Sequence, residues 1–358
     1  MTISNTRSRL DSAARGGGLS SAGLPRTPRR RSSTRVLVLV GIGLACIAAL
    51  VAIDLFAPDV FAQALPTRAQ DALTLTISVV IESLPFVILG LLLSIVVQVW
   101  ISPGLLEFWM PKRAWARRAV LALFGMFLPV CECGNVPLAR GLLIRGFAVP
   151  DTLTFLIAAP IVNPIVILTT HQAFGWDGGI LIARLLGGYL IANLIGWLYS
   201  LHPAPQTLLT ARFRQSCEVS AHEHGGKWER SLTQFVVELR AVMPALLIGS
   251  LVAGLVQVLV PRDMLIAIGS NPVLSIIAMM VLGLTVSICS NVDAFFALSF
   301  ASTFTPGAIV AFLLVGPLID IKMLALLRTT FATRTLAGIV VVVLLSAFAI
   351  GTVVNLVA

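Results

Sequence analysis

Long apolar runs occupy most of this chain, and they constrain its fold more than any other feature. A helix needs about 20 mainly apolar residues to cross the hydrocarbon core of a bilayer. The segments that approach or exceed this length are Val36–Ala57, Ala72–Ile101, Ala114–Val130, Val149–Thr170, Gly178–Leu201, Phe235–Val260, Met264–Ile288, Gly307–Ile319 with its continuation, and Leu336–Ala358. The alternating ten-residue segments of a β-barrel are missing from the sequence. We therefore predict an all-α integral membrane protein with about nine transmembrane helices.

Composition agrees with this class, because 58% of the residues are hydrophobic and only 11% are charged. Soluble domains are usually about a quarter charged. The first apolar run, Val36–Ala57, is longer than the core of a cleaved signal peptide, so we predict a retained helix. The lipid bilayer is thus the first expected partner of the chain.

The positive charge is concentrated at the N-terminus, which argues against a nucleic-acid partner. Residues 1–35 hold eight arginines against the single acid Asp11, or +7 of the formal net charge of +9. This segment is rich in Gly, Ser and Pro, and we predict a disordered basic arm. Basic clusters before and between spans mark the cytoplasmic side. We therefore expect a multi-pass protein of the cell membrane with a cytoplasmic N-terminus.

The sequence contains an internal repeat at a nearly constant offset. Glu82 and Glu238 are 156 residues apart, as are Cys133 and Cys289, and Asn163 and Asp320 are 157 apart. The predicted organisation is a basic arm (1–35), an extra helix and loop (36–71), permease repeat 1 (72–201), a hydrophilic connecting loop (202–233) and permease repeat 2 (234–358). If each repeat has four spans, the two copies have the same orientation in the membrane. If a crossing has been missed, the two copies are inverted relative to each other. Secondary transporters often bind substrate at such a repeat interface.

Each repeat carries two places where we expect a broken or re-entrant helix. They are Pro129–Pro137 and Ala159–Pro164 in the first copy, and Ser287–Asp293 and Gly316–Asp320 in the second. Proline removes a backbone donor and disrupts the preceding helical turn. Irregular backbone at membrane depth is tolerated only where protein or a water-filled cavity surrounds it. The breaks therefore predict a discontinuous-helix binding site.

The break motifs carry a family resemblance. The run CECGNVP followed by AAPIVNP, with the second-half echo CSNVDAFF and VGPLIDIK, resembles the large family of predicted permeases that includes the YraQ-like proteins and ArsP. The resemblance covers about residues 72–358. It implies a multi-span permease, and in the ArsP branch it implies efflux of trivalent organoarsenicals. The motifs do not place this chain in that branch.

Thiols, amides and acids in the breaks are the candidate residues of a substrate or coupling-ion pathway. They are Cys131, Glu132, Cys133, Asn135, Asn163, Cys289, Asn291, Asp293 and Asp320, with Glu82, Glu238 and Lys322 as secondary candidates. Thiolates favour soft ions such as arsenic(III), Cu(I) or zinc, although intramembrane cysteines also serve as small packing residues. A charge at the membrane centre costs at least about 2.5–3.5 kcal/mol, so such groups line a pathway, pair or titrate.

Several charged residues have simpler alternatives. Asp320 is also expected to pair with Lys322 or Arg328 and hold helices together. Arg140 and Arg184 are expected to lie at the membrane interface, where long side chains extend toward water. Glu82 has the same alternative.

These features predict a permease, either a secondary transporter or an efflux protein, for a small solute that includes soft metal or metalloid species. We expect an ion gradient, of protons through the buried acids, to drive it. The alternatives are a channel, a membrane subunit of a larger permease complex with an accessory partner, and a membrane-embedded thiol enzyme that uses Cys133 or Cys289. The sequence has no phosphate-binding loop. We predict no cofactor and no enzymatic activity, and the sequence leaves the identity of any metal open.

Overall fold

Helices form almost all of the described part of the chain. The structure is a computed structural model in which residues 67–101, 110–128, 130–176, 179–221, 226–259 and 271–357 are described. Within these ranges no strand forms, apart from one isolated bridge between Leu209 and Phe331. The predicted all-α class is confirmed. The basic arm and the predicted span Val36–Ala57 lie outside the described residues.

The described residues of the first half, which precedes the connecting segment, form six helices. They are α1 (Thr67–Ile95), α2 (Ala114–Phe124), α3 (Glu132–Ile144), α4 (Val149–Ala158), α5 (Pro164–Phe174) and α6 (Ile180–Ser200). A π-helical turn, Val96–Trp100, extends α1, and a 3-10 turn, Gly125–Phe127, follows α2.

The second half follows a connection that contains one helix of its own. This connection holds the 3-10 turn Pro205–Leu208 and α7 (Ala211–Ala221). The second-half helices are α8 (Lys227–Leu259), α9 (Pro272–Thr285), α10 (Asp293–Leu298), α11 (Pro306–Ile319), α12 (Ile321–Leu327) and α13 (Thr333–Val357).

Five helical segments in the described ranges are long and apolar enough to cross a bilayer. They are Arg68–Trp100, Ile180–Ser200, Lys227–Leu259, Pro306–Leu327 and Thr333–Val357. Helices α4 and α9 are apolar but shorter. The predicted span Val149–Thr170 is divided between α4 and α5, because the chain leaves helix at residues 159–163. The count of nine crossings remains a prediction.

The breaks occur where capping residues and prolines start new helices. Helix α5 begins after Asn163 with Pro164 in its first turn, and α12 begins after Asp320. Asn and Asp side chains favour such N-cap positions, and proline fits the first turn because no donor is needed there. The first break is shorter than predicted, since α3 starts at Glu132 and continues through Pro137. Proline deprives that helix of one hydrogen bond without ending it.

Two short apolar helices lie in the core, and the breaks flank them. Every residue of α4 and every residue of α11 after its first is buried. Helix α4 packs between α2 and α6, and α11 packs between α9 and α13. A helix that is hydrophobic on all sides is expected to be surrounded by protein in this way. Helices α1 and α8 pack against each other across the two halves.

A close backbone contact positions the first break. Helices α1 and α3 meet at Gly90 and Gly134, where a Cβ atom added to Gly90 would overlap the Gly134 backbone. Small residues allow helix backbones to approach in this way in membrane proteins. The contact sets the start of α3 directly against α1.

Candidate functional site

The carboxylate of Glu132 is at the centre of the candidate site. Glu132 is the buried first residue of α3 and directly follows the non-helical residues 130–131. Its Oε1 atom accepts a hydrogen bond from Lys322 Nζ at 3.2 Å, and its Oε2 atom accepts one from Ser290 Oγ at 3.0 Å. Lys322 belongs to α12, and Ser290 precedes α10. An acid of the first half is therefore bound by side chains of the second half.

Three cysteines surround this carboxylate. Cys133 Sγ lies 3.9 Å from Glu132 Oε1, and Cys289 Sγ lies 4.0 Å from Oε2. The Sγ atoms of Cys131 and Cys133 and a Glu132 oxygen lie within 4.8 Å of one another, and Cys131 also interacts with Cys289. All three thiols are buried. Sulfur ligands with one carboxylate form a donor set that suits soft and borderline ions.

Asn163 and Asp320 occupy equivalent capping positions in the two halves, and both are buried. The Asn163 side chain caps α5, and its Nδ2 atom donates to the Val130 carbonyl at 2.9 Å. Asp320 Oδ1 accepts a hydrogen bond from the Met323 backbone N–H at 2.5 Å. Asp320 Oδ2 has no hydrogen-bond partner among the described residues. One oxygen of Asp320 thus caps α12, and the carboxylate also interacts with the Ser287 side chain.

Lys322 is buried with two acids and pairs with one of them. Its ion pair is with Glu132, and it also interacts electrostatically with Asp320. Arg328, the other partner considered for Asp320, is exposed. Two carboxylates and one ammonium give this group a formal charge of −1. Buried charge is costly unless it is paired, so one further positive charge would complete the balance.

Asn135 and Asn291 are polar groups with unused hydrogen-bonding capacity. Asn135 is buried on α3, and neither atom of its amide has a partner in the described part of the chain. The Oδ1 atom of Asn291, in the second-half break, is unpartnered within the same ranges. An unsatisfied buried polar group costs about 1–3 kcal/mol. Both amides are therefore candidates for contact with a solute or with water.

Asp293 forms a bidentate ion pair with Arg184. Arg184 donates from its two terminal nitrogens to Asp293 Oδ1 at 3.0 Å and Oδ2 at 2.6 Å, and also to Thr170 Oγ1 at 2.8 Å. Both charged side chains are buried. The Arg184 side chain does not extend into water as predicted, because it is buried against Asp293, which compensates its charge. Its depth in the membrane remains a prediction.

Arg140 is also buried, so its side chain does not extend into water either. Arg140 Nε donates to Glu238 Oε2 at 2.5 Å, and a terminal nitrogen donates to Thr330 Oγ1 at 3.1 Å. Its guanidinium carbon lies 4.4 Å from the centre of the Phe213 ring, a cation–π contact. Glu238 therefore pairs with a first-half arginine and lies outside the Glu132 group.

Glu82, the repeat equivalent of Glu238, has different surroundings. It is exposed on α1, yet it interacts electrostatically with Lys322 and Glu132. The adjacent Ser83 is buried and accepts a hydrogen bond from Lys322 Nζ at 3.4 Å. Glu82 therefore lies near Glu132 but is exposed on the surface of α1.

Ser83 and Ser290 contact the central group but were not sequence candidates. Each directly follows a residue that was one, Glu82 and Cys289 respectively. A hydroxyl directly after a candidate acid or thiol was the signal that could have found them. Arg184 was recognisable as an arginine within an apolar span, which in a bilayer implies a partner.

The described ion pairs also connect the two halves. Of the four pairs found, three join a first-half residue to a second-half residue. These are Glu132–Lys322, Arg140–Glu238 and Arg184–Asp293. The fourth, Arg117–Asp151, lies within the first half.

Sequence comparisons identify relatives of the chain. A family model described as "Predicted permease" matches residues 68–356. A Streptococcus mutans protein named "Putative two-component membrane permease complex subunit" is 34% identical over 274 residues, which cover 75% of this chain and 90% of that protein. UPF0718 protein YcgR of Bacillus subtilis is 35% identical over 278 residues, which cover 75% of this chain and 92% of that protein. No solved structure matches the chain. The resemblance indicated by the break motifs is confirmed.

Proposed function

The chain belongs to this family of predicted permeases, and we propose that it is a secondary transporter that carries a small solute across the cell membrane. The observation that carries the proposal is Glu132, a buried first-half carboxylate at a helix break that side chains of the second half bind. A ligand held between two halves is released when one half moves relative to the other. This is the geometry that alternating access requires.

We propose that the two halves are repeats within a nine-crossing protein whose N-terminus is cytoplasmic. Their boundaries would be those predicted, 72–201 and 234–358, after the arm and extra helix of residues 1–71. Two observations support the duplication. In the described residues, each half shows six helices in the same order of long and short elements, and Asn163 and Asp320 cap corresponding helices 157 residues apart.

The proposed solute class is a soft metal or metalloid species. Cys131, Cys133 and Cys289 place three sulfur atoms around one buried carboxylate, and the third thiol comes from the other half. Soft ligands of this kind bind arsenic(III) or Cu(I) more favourably than hard cations. In this proposal the acids bind solute or a coupling ion, and an ion gradient supplies the driving force.

A second candidate function is that of a membrane subunit within a larger permease complex. The name of the Streptococcus mutans relative supports it, since that protein is described as a subunit of a two-component complex. An accessory membrane or extracytoplasmic subunit would then complete the transporter. A thiol enzyme is a weaker proposal, because the family supports transport and both halves contribute comparable polar groups to the site.

Solute uptake by everted membrane vesicles tests the proposal. Vesicles that contain wild type, Cys133→Ser/Cys289→Ser or Asp293→Asn would be supplied with trivalent arsenicals, silver or copper(I), with and without an imposed ion gradient. Cys217→Ser is the matched control, because this thiol lies on α7, outside the central group. We expect gradient-dependent uptake by wild type and the control, and its loss in the double cysteine variant.

The outcomes separate the candidate functions. No uptake of any soft species by correctly inserted wild-type protein would refute the thiol-based solute class. Uptake that appears only after coexpression with a copurifying partner would favour the complex-subunit function. Equal uptake by wild type and the double cysteine variant would remove Cys133 and Cys289 from the pathway.

A further inference from the structure

We propose that one face of α1 lines a water-filled vestibule that ends at Glu82 and gives cations access to the site around Glu132. The inference rests on the proposed transport function and deepens it, because it identifies an entrance to the pathway and the charge of the species that enters.

The exposed face of α1 changes from polar to apolar at Glu82. Residues spaced three and four apart lie on the same face of a helix. The first four exposed positions of this face form a polar stripe, which consists of Asp71, Thr74, Ser78 and Glu82. The next four are apolar, and they are Pro85, Leu89, Leu92 and Val96. Every exposed residue from position 74 to position 96 belongs to this one face.

The polar stripe is long enough to reach the middle of the bilayer. Glu82 is the fifteenth of the 33 residues in the candidate span Arg68–Trp100. The helical rise from Asp71 to Glu82 is about 16 Å, which is half of a hydrocarbon core of about 30 Å. Ionisable side chains at this depth face the protein interior or a water-filled cavity, because exposure to lipid is costly. Since Glu82 is exposed, we infer that it faces water.

The inner side of the same helical turn contacts the candidate site. Ser83, the residue after Glu82, is buried and accepts a hydrogen bond from Lys322 Nζ at 3.4 Å. The Sγ atom of Cys133 lies 3.7 Å from the same hydroxyl. The Glu82 side chain itself interacts electrostatically with Lys322 and Glu132. A cation that reaches Glu82 is therefore at the edge of the proposed binding site.

The second half has a matching polar stripe that protein covers. The residues 156 positions after Thr74, Ser78 and Glu82 are Arg230, Gln234 and Glu238. Gln234 and Glu238 are buried, and Glu238 accepts a hydrogen bond from Arg140. Polarity at these positions is thus common to both halves, whereas exposure of Glu82 is specific to the first. An open path in one half and a closed equivalent in the other agree with a transporter that exposes one path at a time.

The charge of the vestibule favours cations. Glu82 adds one negative charge to the Glu132 group, which already carries a formal charge of −1. At the outer end of the stripe, the charges of Arg68 and Asp71 offset each other. A cleft lined by charge of one sign concentrates ions of the opposite sign. We therefore expect hydrated cations to enter more readily than anions.

Cysteine accessibility in the full-length protein tests the vestibule. Thr74→Cys and Ser78→Cys place a thiol on the polar stripe, and Leu89→Cys is the matched control, because Leu89 is exposed on the apolar part of the same face. Everted and right-side-out vesicles would be treated with a charged, membrane-impermeant methanethiosulfonate, and labelled residues would be identified by peptide mass spectrometry. The thiolate is the reactive form, and it forms readily in water but not in lipid. We expect the polar-stripe thiols to react at least about tenfold faster than the control, from one side of the membrane only.

Two reagents of opposite charge test the role of Glu82. Ser78 lies one helical turn from Glu82, and the two side chains are about 6 Å apart. At this separation in water, one charge changes the local concentration of a monovalent ion by about threefold, so a trimethylammonium reagent should gain about tenfold over a sulfonate reagent. Rates would be normalised to those of a small thiol in solution. Glu82→Gln in the Ser78→Cys protein should abolish this preference, whereas Glu229→Gln, an exposed acid on α8, should leave it unchanged.

Three results would overturn the inference. One is equal labelling of Ser78→Cys and Leu89→Cys. Another is protection of both polar-stripe thiols from both sides, which would show that lipid or another protein covers this face; labelling after denaturation in detergent verifies that each thiol is present. The third is a charge preference that persists in Glu82→Gln. Each is distinguishable from failure of the proposed function, because soft-ion uptake that depends on Cys133 and Cys289 would be unaffected.

Discussion

The Glu132–Lys322 pair leads to an asymmetric prediction for two neutralising substitutions. Lys322→Gln leaves the carboxylates of Glu132 and Asp320 buried without a cation, so the formal charge of the group changes from −1 to −2. Glu132→Gln leaves Lys322 and Asp320 to balance each other, and the charge becomes zero. We expect Lys322→Gln to be far more destabilising than Glu132→Gln.

The size of the difference follows from the cost of unpaired buried charge. Removal of one partner from a buried ion pair costs about 3–5 kcal/mol. We expect a loss of about 3–5 kcal/mol for Lys322→Gln. Glu132→Gln should lose only about 1–2 kcal/mol, since a glutamine oxygen can still accept the hydrogen bond from Ser290.

Equilibrium unfolding in mixed detergent micelles measures both effects. The helical circular dichroism signal would be followed during titration with a denaturing detergent in choline chloride at neutral pH, for both single variants and the double variant. The double variant should lose less than the sum of the single losses, by a coupling energy of about 0.5–3 kcal/mol. Equal losses for the two single variants, or strict additivity, would refute the reasoning.

Two other substitutions test contacts that connect helices. Arg184→Lys keeps the charge but loses the bidentate geometry with Asp293. The same unfolding titration should show that the unfolding free energy falls by about 1–3 kcal/mol. Unchanged stability would contradict this expectation. Gly90→Ala places a methyl group against the Gly134 backbone, and we expect the unfolding free energy to fall by about 1–3 kcal/mol. Gly226→Ala, which has open space around it, should show no such loss and serves as its control.

The helix breaks were predictable because their signals are local. Asn163 and Asp320 each stand at the start of a helix, where their side chains accept backbone hydrogen bonds within three residues. Such capping depends on neighbouring residues alone. Pro137 was less informative, since proline in the second turn of α3 weakens the helix without ending it.

The partners of buried charges were not predictable from local sequence. Arg140 and Glu238 are 98 residues apart, and Arg184 and Asp293 are 109 apart. A long cationic side chain in an apolar helix either extends to the membrane interface or pairs with a buried acid. The choice between them depends on which helix packs alongside. The same limit explains why Glu82, despite its repeat relation to Glu238, has a different environment.

The ion pairs that join the two halves have a consequence for the synthesis of the protein. The first half leaves the ribosome first, so Arg140 and Arg184 enter the bilayer before Glu238 and Asp293 have been made. A charged side chain that is buried without its partner costs several kcal/mol. The newly inserted first half is therefore an incomplete product that would be held at the translocon or degraded.

Translation of α8 to α13 then supplies the missing counter-charges and completes insertion. A chain that is truncated between the halves retains buried arginines without their second-half partners. The order of synthesis therefore makes such a chain recognisable as incomplete. We expect separately encoded halves to accumulate only when both are produced in the same cell, each acting as the stabilising partner of the other.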